Sequence, residues 1–198
     1  FFARVNHLWL HWNNTATFTP GTNTVTFDGT NQTIYGATTF YNFTKQVSAA
    51  DTITFEDATA SPLGQTTTHF LTMKGAASNL LSIRSTTNAL AAKLQLQAGG
   101  SQSIQYVDVR DSDASGGSQL VARDSPDHSV FATYNNTNWA FGATTITWQG
   151  TVSTDWDNAF NWDLGLVPAP GDIVVIPSAP ANQPTLATNV IIGKLTTN

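Results

Sequence analysis

Short β-rich runs separated by turn residues fill the stretch from Thr17 to Thr44, and they constrain the fold more than any other feature of the chain. Gly21-Thr22-Asn23 recurs eight residues later as Gly29-Thr30-Asn31, and a run rich in Thr, Val, Ile or Tyr follows each copy. Gly and Asn provide the positive φ or the local hydrogen bond that a chain reversal needs. The intervening residues suit a pleated, half-buried surface. The pattern predicts an all-β fold with little or no helix, although the spacing suits both hairpins and solenoid rungs.

The composition is that of a folded protein with an unusually neutral surface. Hydrophobic residues make up 40% of the 198 residues, which is enough for a core, whereas charged residues make up only 11%. The usual charged share is about 25%. Thr, Ser, Asn and Gln take the place of the charges, and their hydroxyls and amides can pair across strands. This composition is typical of extracellular β proteins.

Charge and cysteine content argue against several classes of protein. The net charge is −5, and the eight Lys and Arg residues are scattered, so we expect no nucleic-acid partner. The absence of Cys removes disulfides and thiolate sites. No apolar run approaches the roughly 18 residues of a membrane span. The sequence opens at Phe1 without an initiator Met, which fits a mature product, a proteolytic piece or the ordered part of something longer, and we expect the last because residues 147–198 begin a unit that the sequence does not finish.

Changes in composition divide the chain into three parts. Residues 1–16 form an aromatic N-terminal segment, predicted to be either a first core strand or an arm that adds a strand to a neighbouring copy. Residues 17–141 form a β-repeat module. Residues 142–198 form a Trp- and Pro-rich β module that begins a further unit.

Most candidate strands follow from alternation and β-propensity, while two segments are less regular. The helix formers in Asn88–Gln97, followed by Gly99-Gly100, allow a helix as an alternative to a strand. The loop Glu56–Thr68 is too polar for a core. Other predicted strands include Thr52–Phe55, Leu80–Ile83, Leu94–Leu96, Val130–Tyr134, Asp172–Ile176 and Val190–Leu195.

A cluster of acidic residues is the candidate metal site. Asp108, Asp111 and Asp113 lie close in sequence, with Asp124 and Asp127 not far beyond. Carboxylate oxygens at short spacing suit Ca²⁺, but the Glu that closes an EF-hand loop is missing. The alternative is that these residues serve as turn formers. Calcium is the one cofactor that the sequence suggests.

Aromatic and amide side chains suggest two kinds of glycan contact. Trp148, Trp156 and Trp162 lie next to polar turns and are candidates for stacking on sugars, the alternative being that they belong to the core. Four Asn-x-Thr sequons are candidate glycosylation sites: Asn13, Asn31, Asn42 and Asn135.

The sequence predicts no enzyme. Glu56 is the single Glu, and Asp108 with Asp124 or Asp127 is the best carboxylate pair for a glycosidase. The four His residues lack the context of a nucleophile elbow. Four lysines are instead candidates for Lys–Asn isopeptide cross-links, which require a buried carboxyl beside the pair: Lys45, Lys74, Lys93 and Lys194.

The chain resembles large prokaryotic β-strand-repeat surface proteins. Phe18-Thr19-Pro20-Gly21 through Thr38-Thr39-Phe40-Tyr41-Asn42-Phe43-Thr44 is similar to their tandem unit T-F-T-P-G-T-x-T-V-T-F-x-G-T, which ends in T-F-Y-N-L-T. Tyr106–Ser112 with Asn135–Phe141 resembles the end of such a module. Trp148-Gln149-Gly150, Asp155-Trp156, Asn161-Trp162, Pro168 and Gly171-Asp172 resemble the start of the next.

The resemblance implies an extracellular, tandemly built cell-surface protein, often with parallel β-helix modules, and no shared active site. We therefore expect a parallel β-helix or β-sandwich module that assembles head to tail with copies of itself. The alternatives are a carbohydrate-binding adhesin module and a polysaccharide-acting enzyme on a β-helix.

Overall fold

The computed structural model describes residues 11–127 and 134–198, which form sixteen short strands and one 3₁₀ turn, Ala159–Asn161. The strands are β1 (Trp12–Asn14), β2 (Thr24–Thr26), β3 (Gln32–Gly36), β4 (Thr38–Gln46), β5 (Asp51–Phe55), β6 (Gln65–Lys74), β7 (Leu81–Ser85), β8 (Ala92–Leu96), β9 (Ser101–Gln105), β10 (Val107–Val109), β11 (Ser112–Asp113), β12 (Leu120–Arg123), β13 (Trp139–Phe141), β14 (Thr145–Thr147), β15 (Ile173–Ile176) and β16 (Lys194–Thr197). The all-β prediction is confirmed.

All pairings between these strands are parallel. The first sheet has the order β1-β3-β5-β7-β10, and the third has the order β14-β15-β16. The second sheet contains β11-β8-β6-β9-β12-β13, with β4 joining β2 to β6. Parallel neighbours cannot be joined by a two-residue turn. The repeat at residues 17–44 therefore forms no hairpins: β2 pairs with β4, and β3 pairs with β1 and β5.

The chain winds between two sheets. From β1 to β7, successive strands alternate between the first and the second sheet, and the chain returns to the same sheet after roughly 20 to 30 residues. This is the course expected of a parallel β-helix, whereas a sandwich built from hairpins would pair antiparallel neighbours. Each return adds one coil to the stack.

Inward-facing residues of successive coils form apolar columns between the two sheets. In the first sheet, Ile53 lies beside Ile83, and Ile83 lies beside Val109. In the second, Phe43 lies between Val25 and Leu71. All of these side chains are buried. Buried and half-buried residues alternate along β5 and β8. Successive side chains of a strand point to opposite faces, so every second residue faces the core and the residues between them face outward.

A second core surrounds the third sheet. Ile146, Val174 and Ile176 contribute from β14 and β15, and three tryptophans close over them: Trp148, Trp156 and Trp162. Several half-buried side chains from residues 164–192 pack against this cluster. The two cores thus lie on either side of the change in composition at residue 142.

The strand predicted at Leu94–Leu96 is confirmed within β8, and the helical alternative does not form, because Leu94 and Leu96 face inward at strand spacing against the neighbouring coil. Two other local predictions need correction. The predicted polar loop after Glu56 is partly internal, since Asp57, Ser61 and Gln65 are buried. The last strand begins at Lys194, and it is largely exposed where burial was expected.

Two predictions lie wholly or partly outside the described residues. Of the N-terminal segment, only the part from residue 11 onward is described, and there Trp12–Asn14 pairs with β3 of the same chain. The first four residues of the strand predicted at Val130–Tyr134 lie outside the described residues.

Candidate functional site

The outer edge of the third sheet is the candidate site. β16 pairs with β15 along one side, and no other described strand pairs with its second side. A β-strand with an unpaired side presents a row of backbone N–H and C=O groups that can accept another chain. This edge can therefore accept a further parallel strand.

An apolar row crosses the third sheet and reaches this edge uncovered. Ile146 lies beside Val174, and Val174 lies beside Leu195. The first two side chains are fully buried, but Leu195 is 55% exposed. The apolar row on the core face of the sheet thus extends to β16, whereas the side chains that cover this face reach only as far as β15. A further strand would extend the same row.

Large exposed apolar side chains are concentrated in the same part of the chain. Eight are found among the described residues, and four of them lie between residues 173 and 195: Ile173, Leu186, Ile191 and Leu195. Single exposed apolar residues are ordinary, but several in one segment mark an interaction surface. The sequence prediction of buried strands here missed this exposure, because alternation does not reveal which strand ends a sheet.

A buried ion pair joins the third sheet to the second. The guanidinium of Arg123, at the end of β12, lies 2.6 and 3.2 Å from the two carboxylate oxygens of Asp172. Asp172 is fully buried, and it also accepts hydrogen bonds from the backbone N–H groups of Thr144 and Ala169. Such a bidentate, fully hydrogen-bonded pair fixes both partners in position. The segment before β15 is thereby anchored on the coil stack.

A second contact between the two cores runs through β9. The side-chain amide of Gln102 donates to the Leu164 carbonyl at 2.8 Å, and its oxygen accepts from Val121 N–H. Ser101 donates through its hydroxyl to the Gly165 carbonyl at 2.9 Å. These bonds and the ion pair hold the third sheet against the second sheet.

The three candidate glycan-stacking tryptophans lie inside the second core. Trp148 and Trp162 meet edge to face at 4.8 Å, as do Trp156 and Trp162 at 4.7 Å. Two indole N–H groups donate within the protein, from Trp148 to Asn182 and from Trp162 to Trp156. A ring that is almost wholly covered offers no face to a sugar. The core role that the sequence left open is the one this packing supports.

A different group of rings reaches the surface. Tyr41 stacks on His69 at 4.5 Å, and Phe160 lies 4.9 Å from His69 and 5.2 Å from Phe70. Phe70 is 41% exposed. The amide oxygen of Asn42 accepts from Phe70 N–H and lies 3.1 Å from the His69 ring. Sequence reasoning missed this surface aromatic cluster, because an irregularity in register after Phe40 brings these side chains together.

The acidic residues of the predicted calcium site have separate protein partners. Asp108 lies 2.5 Å from Arg84, and Asp111 accepts from Ala89 N–H and lies 3.5 Å from Arg110. Asp113 caps its own turn by accepting from Ser115 N–H. The part of the chain that the structure describes contains no group of three His, Cys, Asp or Glu side chains arranged to hold a metal. Calcium binding at these residues stays a prediction. The hydrogen bond of Asp113 within its own turn supports the alternative, that these residues serve as turn formers.

The four sequon asparagines differ in environment. Asn13, Asn31 and Asn135 are exposed. Asn42 is half-buried, and its amide nitrogen donates to Thr24 at 3.1 Å. A glycan attached to Nδ2 of Asn42 would disturb its bond to Thr24, whereas the bonds to the surface aromatic cluster are made by Oδ1. The three exposed asparagines remain candidate glycosylation sites.

Asp57 has an unusually acidic carboxyl group. Its carboxylate accepts hydrogen bonds from the hydroxyls of Thr87 and Thr86, and from the N–H groups of Thr59 and Ala60. The bond from Thr87 is the main reason that the pKa of Asp57 falls from 3.8 to about 2. Burial acts in the opposite direction but is outweighed. The carboxylate thus ties the loop after β5 to the loop after β7.

Comparison with known proteins supplies no relative. No protein-family model, curated protein or solved structure matches the chain. Among the described residues, no helix has the length and apolar character needed to cross a membrane.

Proposed function

We propose that this chain is an extracellular structural module that assembles head to tail, with the first strand of the next copy or module adding to the free side of β16. The uncovered Leu195 at the end of the Ile146–Val174 row is the observation that supports this proposal. A parallel sheet continues by accepting another parallel strand, and Leu195 is already on its core face. The same strand would satisfy the unpaired backbone groups of β16.

The rest of the chain fits an assembling module. Its sheets are stacked coils, and each coil contacts mainly its neighbours, which is the arrangement of repeat proteins. A contact between unlike ends either closes a ring or continues as a filament. The low charge and the Thr- and Asn-rich outer faces suit a surface exposed outside the cell. The resemblance to cell-surface β-strand-repeat proteins leads to the same proposal.

Electron microscopy and sedimentation of the purified chain test the proposal. We expect particles that lengthen with protein concentration, and we expect Leu195→Lys to reduce them because it places a charge on the contact face. Leu63→Lys is the matched control, since Leu63 is 75% exposed in a loop far from β16 in sequence. A chain that stays monomeric at all concentrations, or equal loss in both variants, would contradict the proposal.

A carbohydrate-binding adhesin module is the second candidate function, and the surface aromatic cluster is the observation that favours it. Aromatic rings beside a side-chain amide provide the stacking face and hydrogen-bonding group that sugars use. We expect binding on a glycan array that Tyr41→Ala abolishes. Tyr35→Ala is the control, because Tyr35 packs on His11 away from this cluster. Absence of binding by the unaltered chain counts against this candidate.

A further inference from the structure

One lysine is buried between the first and second sheets. The side chain of Lys45 in β4 is 0% exposed, whereas the other lysines of the described chain are half-buried or exposed. Its Nζ lies 2.6 Å from Asp51 Oδ2 and 3.2 Å from Gln32 Oε1, and it also contacts the Gly29 carbonyl. An ammonium group is removed from water only when groups of this kind compensate it.

The three side chains come from three strands. Lys45 points inward from the second sheet, while Gln32 and Asp51 begin β3 and β5 of the first. Gln32 and Asp51 are also buried. A nucleophile, an amide carbonyl and a carboxylate therefore meet in a space from which water is excluded. Proximity of this kind can convert a reaction between two groups into an effectively unimolecular one.

Asp51 is placed to act as a base. Its Oδ1 accepts hydrogen bonds from the N–H groups of Asn31 and Thr52, both at 2.8 Å, while Oδ2 faces Lys45. Burial by itself would raise the pKa of Asp51, but the bonds from Lys45, Asn31 and Thr52 together lower it. The lowered pKa keeps the carboxylate ionised and therefore resistant to attack by an amine, while the 2.6 Å contact with Nζ gives the ammonium proton a direct acceptor. The amide of Gln32 is the better electrophile of the two.

We propose that Lys45 and Gln32 join through an intramolecular isopeptide bond, with Asp51 carrying the proton. Asp51 takes a proton from the Lys45 ammonium, and the neutral Nζ attacks Cδ of Gln32. The bond from Cδ to Nε2 breaks, and Asp51 returns a proton to the departing nitrogen. Ammonia leaves and takes up the remaining proton as ammonium. One Nζ–Cδ bond replaces one Cδ–Nε2 bond, and nothing is oxidised or reduced.

The bond would link the two sheets covalently in a chain without cysteine. It differs from the Lys–Asn cross-link that the sequence suggests, since the amide within reach of Lys45 belongs to a glutamine. The proposal is independent of head-to-tail assembly, because all three groups lie in adjacent coils of a single chain.

The intact mass of the fully denatured protein is the primary test. We expect the unaltered chain to be lighter than its sequence mass by one ammonia. Lys45→Arg and Asp51→Asn should each restore the full mass, because they remove the nucleophile and the base. Lys74→Arg is the matched control on the neighbouring strand and should keep the deficit. The measurement on the unaltered chain stands even if a variant does not fold.

Peptide mapping locates the bond. Chymotrypsin can cut at Phe40, between the two residues, and should leave two peptides joined through Lys45 and Gln32. Trypsin should fail to cut after Lys45. A folded, unaltered chain at its full sequence mass would overturn the proposal. Loss of one water confined to the single peptide 44–55, which holds both Lys45 and Asp51, would overturn the assignment of Gln32 as the acyl donor. A deficit that maps elsewhere would overturn the assignment of both residues.

Discussion

Asp57 shows at the scale of one residue how neighbouring coils are held together. Because its pKa is lower in the folded chain than in the unfolded chain, the ionised form stabilises the fold. That stabilisation is fully present above pH 3.8, and it is lost as the pH falls toward about 2. We expect Asp57→Asn to unfold with a smaller pH dependence in this window than the unaltered chain. Thermal unfolding at a series of pH values checks this, and equal slopes would contradict it.

Gly36 shows what a close backbone approach demands. It has a φ of +71°, and a Cβ built on it would lie 2.1 Å from the Asn14 carbonyl oxygen. Gly142 has a similar φ of +81°, but a Cβ there would meet nothing within 4 Å. We expect Gly142→Ala to cost about 1–2 kcal/mol from backbone strain alone. Gly36→Ala should cost clearly more, because β1 must also move away from β3.

Urea unfolding of the two variants measures both costs. Equal destabilisation would show that the contact with Asn14 relaxes freely, which would contradict the steric argument.

At the scale of elements, the Arg123–Asp172 pair controls how the third sheet is attached. Arg123→Met would leave the fully buried Asp172 without its cation, and removing one partner of a buried pair costs about 3–5 kcal/mol. The control is Arg84→Met, whose pair with Asp108 is about one-fifth exposed on both sides. Exposed pairs contribute only about 0–1 kcal/mol, and a partly exposed one falls between the two limits.

Chemical denaturation separates the two cases. We expect Arg123→Met to be the more damaging change and to release residues 142–198 first, seen as early proteolysis there. Similar losses of stability in both variants would contradict the anchoring role of the Arg123–Asp172 pair.

Elements were predictable from the sequence where their own residues decide the outcome. The strands predicted at Thr52–Phe55 and Leu94–Leu96 lie within β5 and β8, because the alternation of apolar and polar residues in each segment is enough to indicate a strand. The pairing of strands was not predictable, because turns of any kind fit the Gly-Thr-Asn tripeptides. Parallel order depends on contacts with the next coil, and those contacts are far away in sequence.

The candidate sites were predictable only in part for the same reason. Lys45 was one of four candidate lysines with nothing in the sequence to single it out, and no spacing indicated that Gln32 and Asp51 would meet it across two sheets. The sequence predicted Leu195 to belong to a buried strand. Its side chain lies on the core face of the sheet, but it is 55% exposed. Whether a neighbour covers a side chain is a property of the assembled sheets.

At the scale of the whole molecule, the nature of the proposed contact sets its response to salt. The edge of β16 would be joined by backbone hydrogen bonds and apolar side chains, and the chain carries few charges. Screening by salt weakens interactions between exposed charges but has little effect on such contacts. We expect assembly to persist or increase as sodium chloride is raised, and more strongly in sulfate, which favours burial of apolar surface.

Sedimentation at a fixed protein concentration checks this expectation. Disassembly by moderate sodium chloride would mean that charged groups hold the copies together, and would contradict an apolar, strand-to-strand contact.

The return of the chain to each sheet after roughly 20 to 30 residues has a consequence for how the protein is made. Each strand pairs with one that has left the ribosome or an export channel only shortly before it. No described strand at one end of the chain waits for a partner at the other. Coils can therefore form one after another on a chain that is still emerging, so the direction of synthesis and the direction of growth of the stack are the same.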